Sequence, residues 1–426
     1  MAQRFPCRTM ALPRSGSLAG GALLLAILVT IPAGVRAQER VPGRPHLAAG
    51  ADTNSAAAYY AFGVERLRAG RAGVAADAFY WASRLAPDWA DPLYARRDAL
   101  ILSRPDRLVS FMEGTRSVIE SPEARQLDSL RLRALEVDPF VYEDLERDVI
   151  MAYLTERTMA DLRQRYLASD VERMRQEVKN AVELYLRTPA AAWWRAWLAY
   201  AERRLPDALR YYAEALRKAP DDEHDYRSRL HAQRGRAFYL SGRRDSAQVE
   251  LQWAIDELRR RDESVTIRVY ESKALLEHSL GVGLENAGDT ADAREAYGRA
   301  LVEDLAFYPA HVRLGRLMAA AGDTAGARKE LELALEVAPD AAVARLTLAN
   351  HYYGSGDDRA AVTTLEPPLE REPYWVEPYL LRGLALQRLG DREGAARQFA
   401  TFLALSEATD DRRAAVAQRL AALRNQ

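Results

Sequence analysis

Apolar side chains recur three or four residues apart along much of the chain, which is the spacing of one face of an α-helix. Two helix starts are also recognisable: Ser121 precedes Pro122 at a first helical position, and Asp170 is a possible cap. One apolar stripe consists of Leu145, Val149, Ile150, Tyr153 and Leu154. The stripe that follows Asp170 consists of Val171, Met174, Val178, Val182 and Tyr185. The sparseness of β-branched residues also favours helices.

A second pattern, with a period of 34 residues, organises the C-terminal part of the chain. The stretch AGDTADAR at 287–294 returns as AGDTAGAR at 321–328. A period of this length indicates a stacked array of structural repeats. Four kinds of position keep the step: the glycine of a Gly-Asp pair (Gly288, Gly322, Gly356, Gly390), a small residue (Gly281, Gly315, Ala349, Gly383), an alanine (Ala293, Ala327, Ala361, Ala395) and a large apolar residue (Tyr297, Leu331, Leu365, Phe399).

Each of these repeated residues has a structural role in a helical hairpin. The glycine of Gly-Asp can take a positive φ and end the first helix, and the aspartate can cap the second helix. The small residue at the Gly315 position allows a close approach inside the first helix, and Ala327 marks the crossing of the two helices. Leu331, one turn later, fills the space beside them. Pro339 stops the second helix or opens the turn into the next repeat.

These letters resemble the tetratricopeptide repeat family. The resemblance implies an all-α fold, a right-handed α-solenoid of stacked helix-turn-helix hairpins. Upstream units are degenerate, and the one near 189–222 has Leu205-Pro206-Asp207 where the others have glycine. Within the phased units, 342–375 departs from the family pattern, since it carries Pro368 where the family prefers alanine. The resemblance covers seven units, which lie at 56–89 and, as an array over 189–409, near 189–222, 228–261, 274–307, 308–341, 342–375 and 376–409.

The remaining segments have other predicted roles. Residues 90–188 break the phase of the repeat, and we interpret them as degenerate hairpins or as an all-helical insert. Residues 410–426 are predicted to form a C-terminal capping helix, and residues 38–55 a flexible leader.

The N-terminal 37 residues have the features of an export signal. Three arginines without an acidic residue precede an apolar run from Leu18 to Ile31, and a small-residue cleavage site ends at Ala37. The run is shorter than the ~20 residues that span a bilayer. We expect cleavage after Ala37, with an uncleaved anchor helix as the alternative. The mature protein is then expected to be periplasmic or extracellular in a bacterium, without stable membrane insertion.

Composition narrows the candidate chemistry. The only cysteine is Cys7, inside the predicted signal, so the mature chain would have no disulfide and no thiolate. The formal net charge of −1 becomes more negative when the signal arginines are removed, which argues against nucleic acid as a partner. The histidines show no metal-ligand spacing, and no phosphate-binding, dinucleotide or nucleophile-elbow motif is found. We therefore expect no cofactor and no metal.

Two acidic clusters are candidate sites of chemistry. His224 lies within the acidic run DDEHD, for which a solvated loop is the favoured interpretation. The acidic residues Glu143, Asp144, Glu146 and Asp148 could hold paired carboxylates, but an exposed helix face beside Arg147 is favoured. The chain is therefore expected to be non-catalytic.

A solenoid of hairpins exposes its first helices on a concave inner surface, and such a groove takes an extended peptide or a partner helix. Arg313, Arg316 and Asn350 could bind a carboxylate or backbone carbonyls there, with ordinary solvated surface as the alternative. The lysine–asparagine clamp of some family members is not expected, because Val312 occupies a position where its lysine is needed. The predicted groove residues are Arg313, Arg316, Leu346, Asn350, Tyr353, Leu380, Leu384 and Trp194; for Trp194, simple packing is the favoured alternative.

The sequence thus predicts an exported protein–protein interaction scaffold. An envelope-assembly or secretion accessory factor is the narrower alternative, and an enzyme with a site in residues 90–188 is the third. The repeat positions decide the fold and leave the identity of the partner open, because groove positions vary freely within one fold.

Overall fold

The computed structural model describes residues 41–113, 121–141, 145–165, 170–188, 191–264, 272–366 and 372–424. The predicted export signal lies outside these ranges, as do Glu143, Asp144 and Pro368. Within them the chain forms 20 α-helices and no β-strand, which confirms the all-α prediction. None of these helices combines the length and the apolar character needed to cross a membrane.

Seven helices precede the array of the C-terminal part. A short 3-10 turn, Pro105–Arg107, leads into the fourth of them. The helices are α1 (Ala56–Arg68), α2 (Ala72–Leu85), α3 (Asp91–Leu102), α4 (Leu108–Glu113), α5 (Pro122–Val137), α6 (Glu146–Arg165) and α7 (Val171–Arg187).

The array itself consists of six helical hairpins and a final helix in the described residues. Each hairpin packs against the next, so the chain builds an α-solenoid. The hairpins are α8 (Ala192–Ala201) with α9 (Leu205–Lys218), α10 (His224–Leu240) with α11 (Arg244–Ser264), α12 (Ala274–Ala287) with α13 (Thr290–Glu303), α14 (Tyr308–Ala320) with α15 (Thr324–Val337), α16 (Ala342–Ser355) with α17 (Asp358–Thr364), and α18 (Glu377–Arg388) with α19 (Arg392–Leu405); α20 (Arg413–Arg424) follows them.

Both helix starts predicted between residues 90 and 188 are confirmed. The Ser121 hydroxyl accepts a hydrogen bond from the amide of Ala124 at the start of α5, and the Asp170 carboxylate accepts one from the amide of Arg173 at the start of α7. All five members of the apolar stripe on α6 and its N-terminal flank are buried. The stripe on α7 is buried at its centre, but Val171 is 56% exposed because it lies at the helix start, beyond the contact with neighbouring helices.

The turn between paired helices has the predicted backbone geometry. Gly288, Gly322, Gly356 and Gly390 have φ between 80° and 95°, the left-handed region that glycine adopts at little cost. Three of the following aspartates cap the second helix by accepting an amide hydrogen bond at 2.8 to 3.0 Å. Asp289 is the exception, since its side chain makes no cap hydrogen bond.

The small residue of each first helix lies directly under the large apolar residue of the second. A Cβ atom added to Gly281 would lie 2.5 Å from the ring of Tyr297, and one added to Gly315 would lie 2.7 Å from Leu331. Gly383 has the same relation to Phe399, at 2.6 Å. The crossing alanines Ala293, Ala327, Ala361 and Ala395 are fully buried. Pro339 lies in the connection between α15 and α16, as one of its two predicted roles requires.

The degenerate unit near 189–222 lacks the turn glycine and forms its turn with a different residue. Arg203, in the connection between α8 and α9, has φ of 58° and takes the left-handed conformation itself. A side chain with a Cβ pays roughly 1–2 kcal/mol in this region, which glycine avoids. The turn geometry is therefore retained in this unit although it lacks the turn glycine.

The described residues ahead of α1 hold the first hairpin against the last one. The Arg44 guanidinium lies 5.0 Å from the ring centre of Trp81 and 5.6 Å from that of Tyr374. Arg84 pairs with Glu372 at 2.8 Å. Near the same place, the Asp52 carboxylate accepts a hydrogen bond from the amide of Ala408 at 2.7 Å. The segment predicted as a flexible leader thus contacts the first hairpin of the chain and the C-terminal end of the repeat array.

Replacing Gly281 with alanine is expected to destabilise the protein by about 1–3 kcal/mol, because the new Cβ would overlap the Tyr297 ring. The matched control is Gly298→Ala, since nothing lies within 4 Å of a Cβ added at this helical position. That variant is expected to gain about 0.5–1 kcal/mol from helix propensity. Urea unfolding of both variants measures the difference, and equal effects would contradict the packing argument.

At the degenerate turn, Arg203→Gly is expected to be more stable than Arg203→Ala by about 1 kcal/mol. Both variants lose the arginine side chain, but only glycine relieves the left-handed conformation. Thermal unfolding of the pair isolates the backbone contribution. An alanine variant as stable as the glycine variant would show that the backbone is not strained there.

Candidate interaction surface

One line of equivalent positions runs across the first helices of five consecutive hairpins. It is formed by the residue that follows the small repeat residue Gly235, Gly281, Gly315, Ala349 or Gly383. We call this line the first-helix column. Because the hairpins stack in register, these positions lie on corresponding faces of neighbouring first helices. Its members are Arg236 on α10, Val282 on α12, Arg316 on α14, Asn350 on α16 and Leu384 on α18.

The column is covered at one end and open in the middle. Val282 is only 4% exposed, and Arg236 is half-buried. Arg316 and Asn350 are both exposed, on adjacent first helices. Two of the three polar residues predicted for the groove therefore present their side chains to solvent at equivalent positions.

The cover consists of the chain's own residues at the end of α5. We call residues 136–141 the inner segment. Phe140 stacks on Tyr239 with ring centres 3.7 Å apart, and the carbonyl of Val141 accepts a hydrogen bond from Arg236 at 2.8 Å. The Tyr308 hydroxyl donates to Glu136 at 3.1 Å. The inner segment thus contacts the first helices of three consecutive hairpins, α10, α12 and α14.

Arg313 borders a cavity of about 400 Å³ beside the inner segment. The guanidinium lies 3.4 Å from the Glu285 carboxylate, which also accepts a hydrogen bond from the Tyr297 hydroxyl at 2.7 Å. Burial, together with this contact to Glu285, raises the pKa of Tyr297, so its hydroxyl stays a donor. Arg313 is therefore already paired, whereas Arg316 is exposed and has no ion pair among the described residues. The polar lining of the cavity includes Asp88, Asp91, Asp138, Asn286 and Arg313.

The apolar groove residues contribute to packing between hairpins. Leu346 and Tyr353 pack against the buried cluster of Ala349, Leu365 and Leu381. Leu380 and Leu384 pack against the cluster around Phe399. The guanidinium of Arg388 lies 4.2 Å from the ring centre of Tyr353 and donates to its carbonyl. These side chains are half-buried, and their role in binding stays a prediction.

Trp194 belongs to an aromatic cluster inside the molecule. Its ring stacks on Tyr153 of α6 at 5.1 Å and on Trp197 at 5.5 Å. The indole packs against the apolar core that joins α6 to the first hairpin of the array. The arrangement agrees with the packing interpretation of Trp194 rather than with a free stacking platform.

The two acidic clusters considered above as possible sites of chemistry make structural contacts in the described residues. His224 lies 2.8 Å from the carboxylate of Glu257, which is also bound by Arg227 at 3.0 Å. Burial raises the pKa of Glu257, but these hydrogen bonds outweigh it and hold that pKa below the usual value. Asp148 pairs with Arg147 at 3.4 Å. In the described ranges, no group of three or more His, Cys, Asp or Glu side chains could hold a metal ion.

A second cavity, of about 590 Å³, lies where the first hairpin meets the last. Its arginine, Arg412, is bound by Glu377 at 2.7 Å and by Asp410 at 2.8 Å. These hydrogen bonds raise the pKa of Arg412 and lower that of Asp410. Arg412, Glu377 and Asp410 thus satisfy one another, and we assign no ligand to the cavity.

Sequence reasoning missed the inner segment entirely. Residues 136–141 carry no repeat letter, and their contacts join positions that lie 95 to 172 residues apart in the chain. The register of the first-helix column was available from the repeat phase. Its partial cover was not, because nothing local indicates which surface a segment outside the repeats will reach.

Comparison with known proteins indicates which protein family the repeats resemble. The sequence model described as "Tetratricopeptide repeat" matches residues 286–346 and 318–379. No curated protein matches the chain.

Solved structures with a similar fold cover about half of the chain. MamA residues 41-end from Desulfovibrio magneticus RS-1 is 19% identical, with a TM-score of 0.36, over 45% of this chain and 99% of that one. YrrB, described as a TPR protein with an unusual peptide-binding site, is 15% identical, with a TM-score of 0.37, over 49% and 98%. The C-terminal part of a TPR repeat-containing protein from Cytophaga hutchinsonii is 14% identical, with a TM-score of 0.41, over 54% and 95%.

The matched residues span the hairpins α14–α15 and α16–α17, whose turns, caps and small-to-large contacts carry the repeat geometry. Repeat arrays of this kind present extended surfaces that bind other proteins. The matched stretches, residues 286–346 and 318–379, are therefore similar to tetratricopeptide repeats, and the hairpins before and after them share the turn and packing geometry.

Proposed function

We propose that the mature protein is an exported, non-catalytic scaffold that binds an extended peptide or a partner helix along the open part of the first-helix column. The observation that carries this proposal is the exposure of Arg316 and Asn350 at equivalent positions of adjacent first helices. They lie in line with Arg236, which already donates a hydrogen bond to a backbone carbonyl of the chain itself.

The chemistry of the open positions suits a polypeptide ligand. An arginine offers several N–H donors to a carboxylate or to backbone carbonyls, and an asparagine side chain both donates and accepts. Recognition of a main chain by such side chains depends little on the ligand's sequence. Half-buried Leu380 and Leu384 continue the surface with apolar area at the next hairpin.

Export is proposed on the N-terminal sequence pattern. Residues 1–37 combine early arginines, an apolar run and a small-residue cleavage site. The partner is accordingly sought in the cell envelope, which is also where the narrower accessory role would be tested.

A pull-down from bacterial envelope extract with immobilised residues 38–426 is expected to retain a defined partner protein. The Arg316→Ala/Asn350→Ala double variant is expected to weaken this binding by roughly tenfold or more, because hydrogen bonds to charged groups contribute about 1.5–3 kcal/mol. Titration of the recovered partner against both proteins measures the difference.

The matched control is Arg294→Ala/Arg359→Ala, which removes two exposed arginines from the second helices α13 and α17. It is expected to bind like the unmodified protein. The proposal is wrong if no partner is retained, or if the two double variants bind the partner equally well.

A further inference from the structure

The contact between Phe140 and the array has the form of an anchor in a pocket. The ring lies nearly parallel to that of Tyr239, with 9° between the planes, and Phe140 is 3% exposed. Tyr239 is held in place by Asn286, whose side-chain amide donates to the tyrosine hydroxyl at 2.6 Å. On the neighbouring helix α12, Gly283 lies beside the ring, since a Cβ added there would make an ordinary van der Waals contact of 3.8 Å with its Cζ atom. Two first helices therefore form the pocket together.

The polar contacts of the inner segment are those that a bound peptide would make. Arg236 donates a hydrogen bond to a main-chain carbonyl, that of Val141, which any residue at this position of a ligand would supply. Tyr308, one hairpin beyond α12, binds the carboxylate of Glu136. An aromatic anchor, a backbone contact and a carboxylate contact, spread over three hairpins, together describe a segment laid across a solenoid groove.

The inner segment is only partly joined to the packing that holds α5, because Val141 shares that packing and Phe140 does not. Leu130 and Ala134 of α5 are buried in a cluster with Leu93 and Tyr94 of α3. Phe140, in contrast, belongs to the cluster of α11 to α14. The helix thus has its own attachment to α3, which Val141 shares. Glu136, Phe140 and the carbonyl of Val141 make the contacts with the first helices.

We propose that the first helices α10, α12 and α14 form a peptide-binding surface, that residues 136–141 occupy it as an internal ligand, and that a partner segment with a carboxylate followed four residues later by an aromatic residue competes for it. This inference rests on the proposed function and names the chemistry of the partner. The exposed Arg316 and Asn350 extend the same column beyond the occupied part.

A covalently attached ligand is present at an effective concentration on the order of millimolar, so it masks the site from a free peptide. Removal of its anchor unmasks the site. The test uses a fluorescent peptide, LRALEVDPFV, which copies residues 132–141. Its affinity for the mature protein is measured by fluorescence anisotropy.

Three variants of the mature chain separate the outcomes. Phe140→Ala vacates the pocket, and Leu132→Ala, at a 44% exposed position of α5, is the matched control. The double variant Phe140→Ala/Tyr239→Ala vacates the pocket and also removes its wall. Circular dichroism establishes that each variant is folded.

The peptide is expected to bind Phe140→Ala roughly tenfold or more tightly than it binds either the unmodified protein or Leu132→Ala. The gain is expected to disappear in the double variant and with a peptide whose phenylalanine is replaced by alanine. Equal affinity for folded Phe140→Ala and for the unmodified protein would overturn the proposal.

A second experiment needs no variant, in case Phe140→Ala does not fold. The same peptide, with a photoreactive phenylalanine analogue in place of its phenylalanine, is crosslinked in excess to the unmodified protein. Crosslinks to residues 236–240 or 282–286 support the proposal, and crosslinks elsewhere or none overturn it. If both peptide experiments fail while the envelope partner is still retained, only this inference fails and the proposed scaffold function stands.

Discussion

The architecture depends on one contact, repeated in each hairpin, between a residue without a bulky side chain in the first helix and a large apolar residue in the second. Gly281 under Tyr297, Gly315 under Leu331 and Gly383 under Phe399 are examples. Dispersion and burial of the large side chain stabilise the hairpin only if the two helices approach this closely. The left-handed turn glycines then bring the second helix back in the same direction each time, so that equal hairpins stack.

The stacking also decides where chemistry can lie. The repeated residues make contacts within and between hairpins. The column on the first helices is therefore the part of each repeat that is available for recognition. The equivalent positions of the column carry two arginines, a valine, an asparagine and a leucine: Arg236, Val282, Arg316, Asn350 and Leu384. Such variation along an invariant framework is how a solenoid acquires a particular partner without altering its fold.

Segments outside the repeats modify this simple solenoid in two places. The inner segment covers one end of the column, where Phe140 stacks on Tyr239. Residues ahead of α1 join the first hairpin to the last, where the Arg44 guanidinium lies among the rings of Tyr59, Trp81 and Tyr374. Both contacts connect parts of the chain that are remote in sequence. The surface open to a partner is consequently smaller than the repeat array alone would present.

The sequence by itself determined the helical content, the repeat period, the turn glycines and most of the caps, because each depends on contacts within one hairpin or between adjacent ones. It also placed Arg316 and Asn350 on a common line through the repeat phase. Only the tertiary structure decided that Arg313 pairs with Glu285, that Trp194 packs against Tyr153, and that residues 136–141 cover the column. These outcomes depend on long-range packing, which no local periodicity encodes.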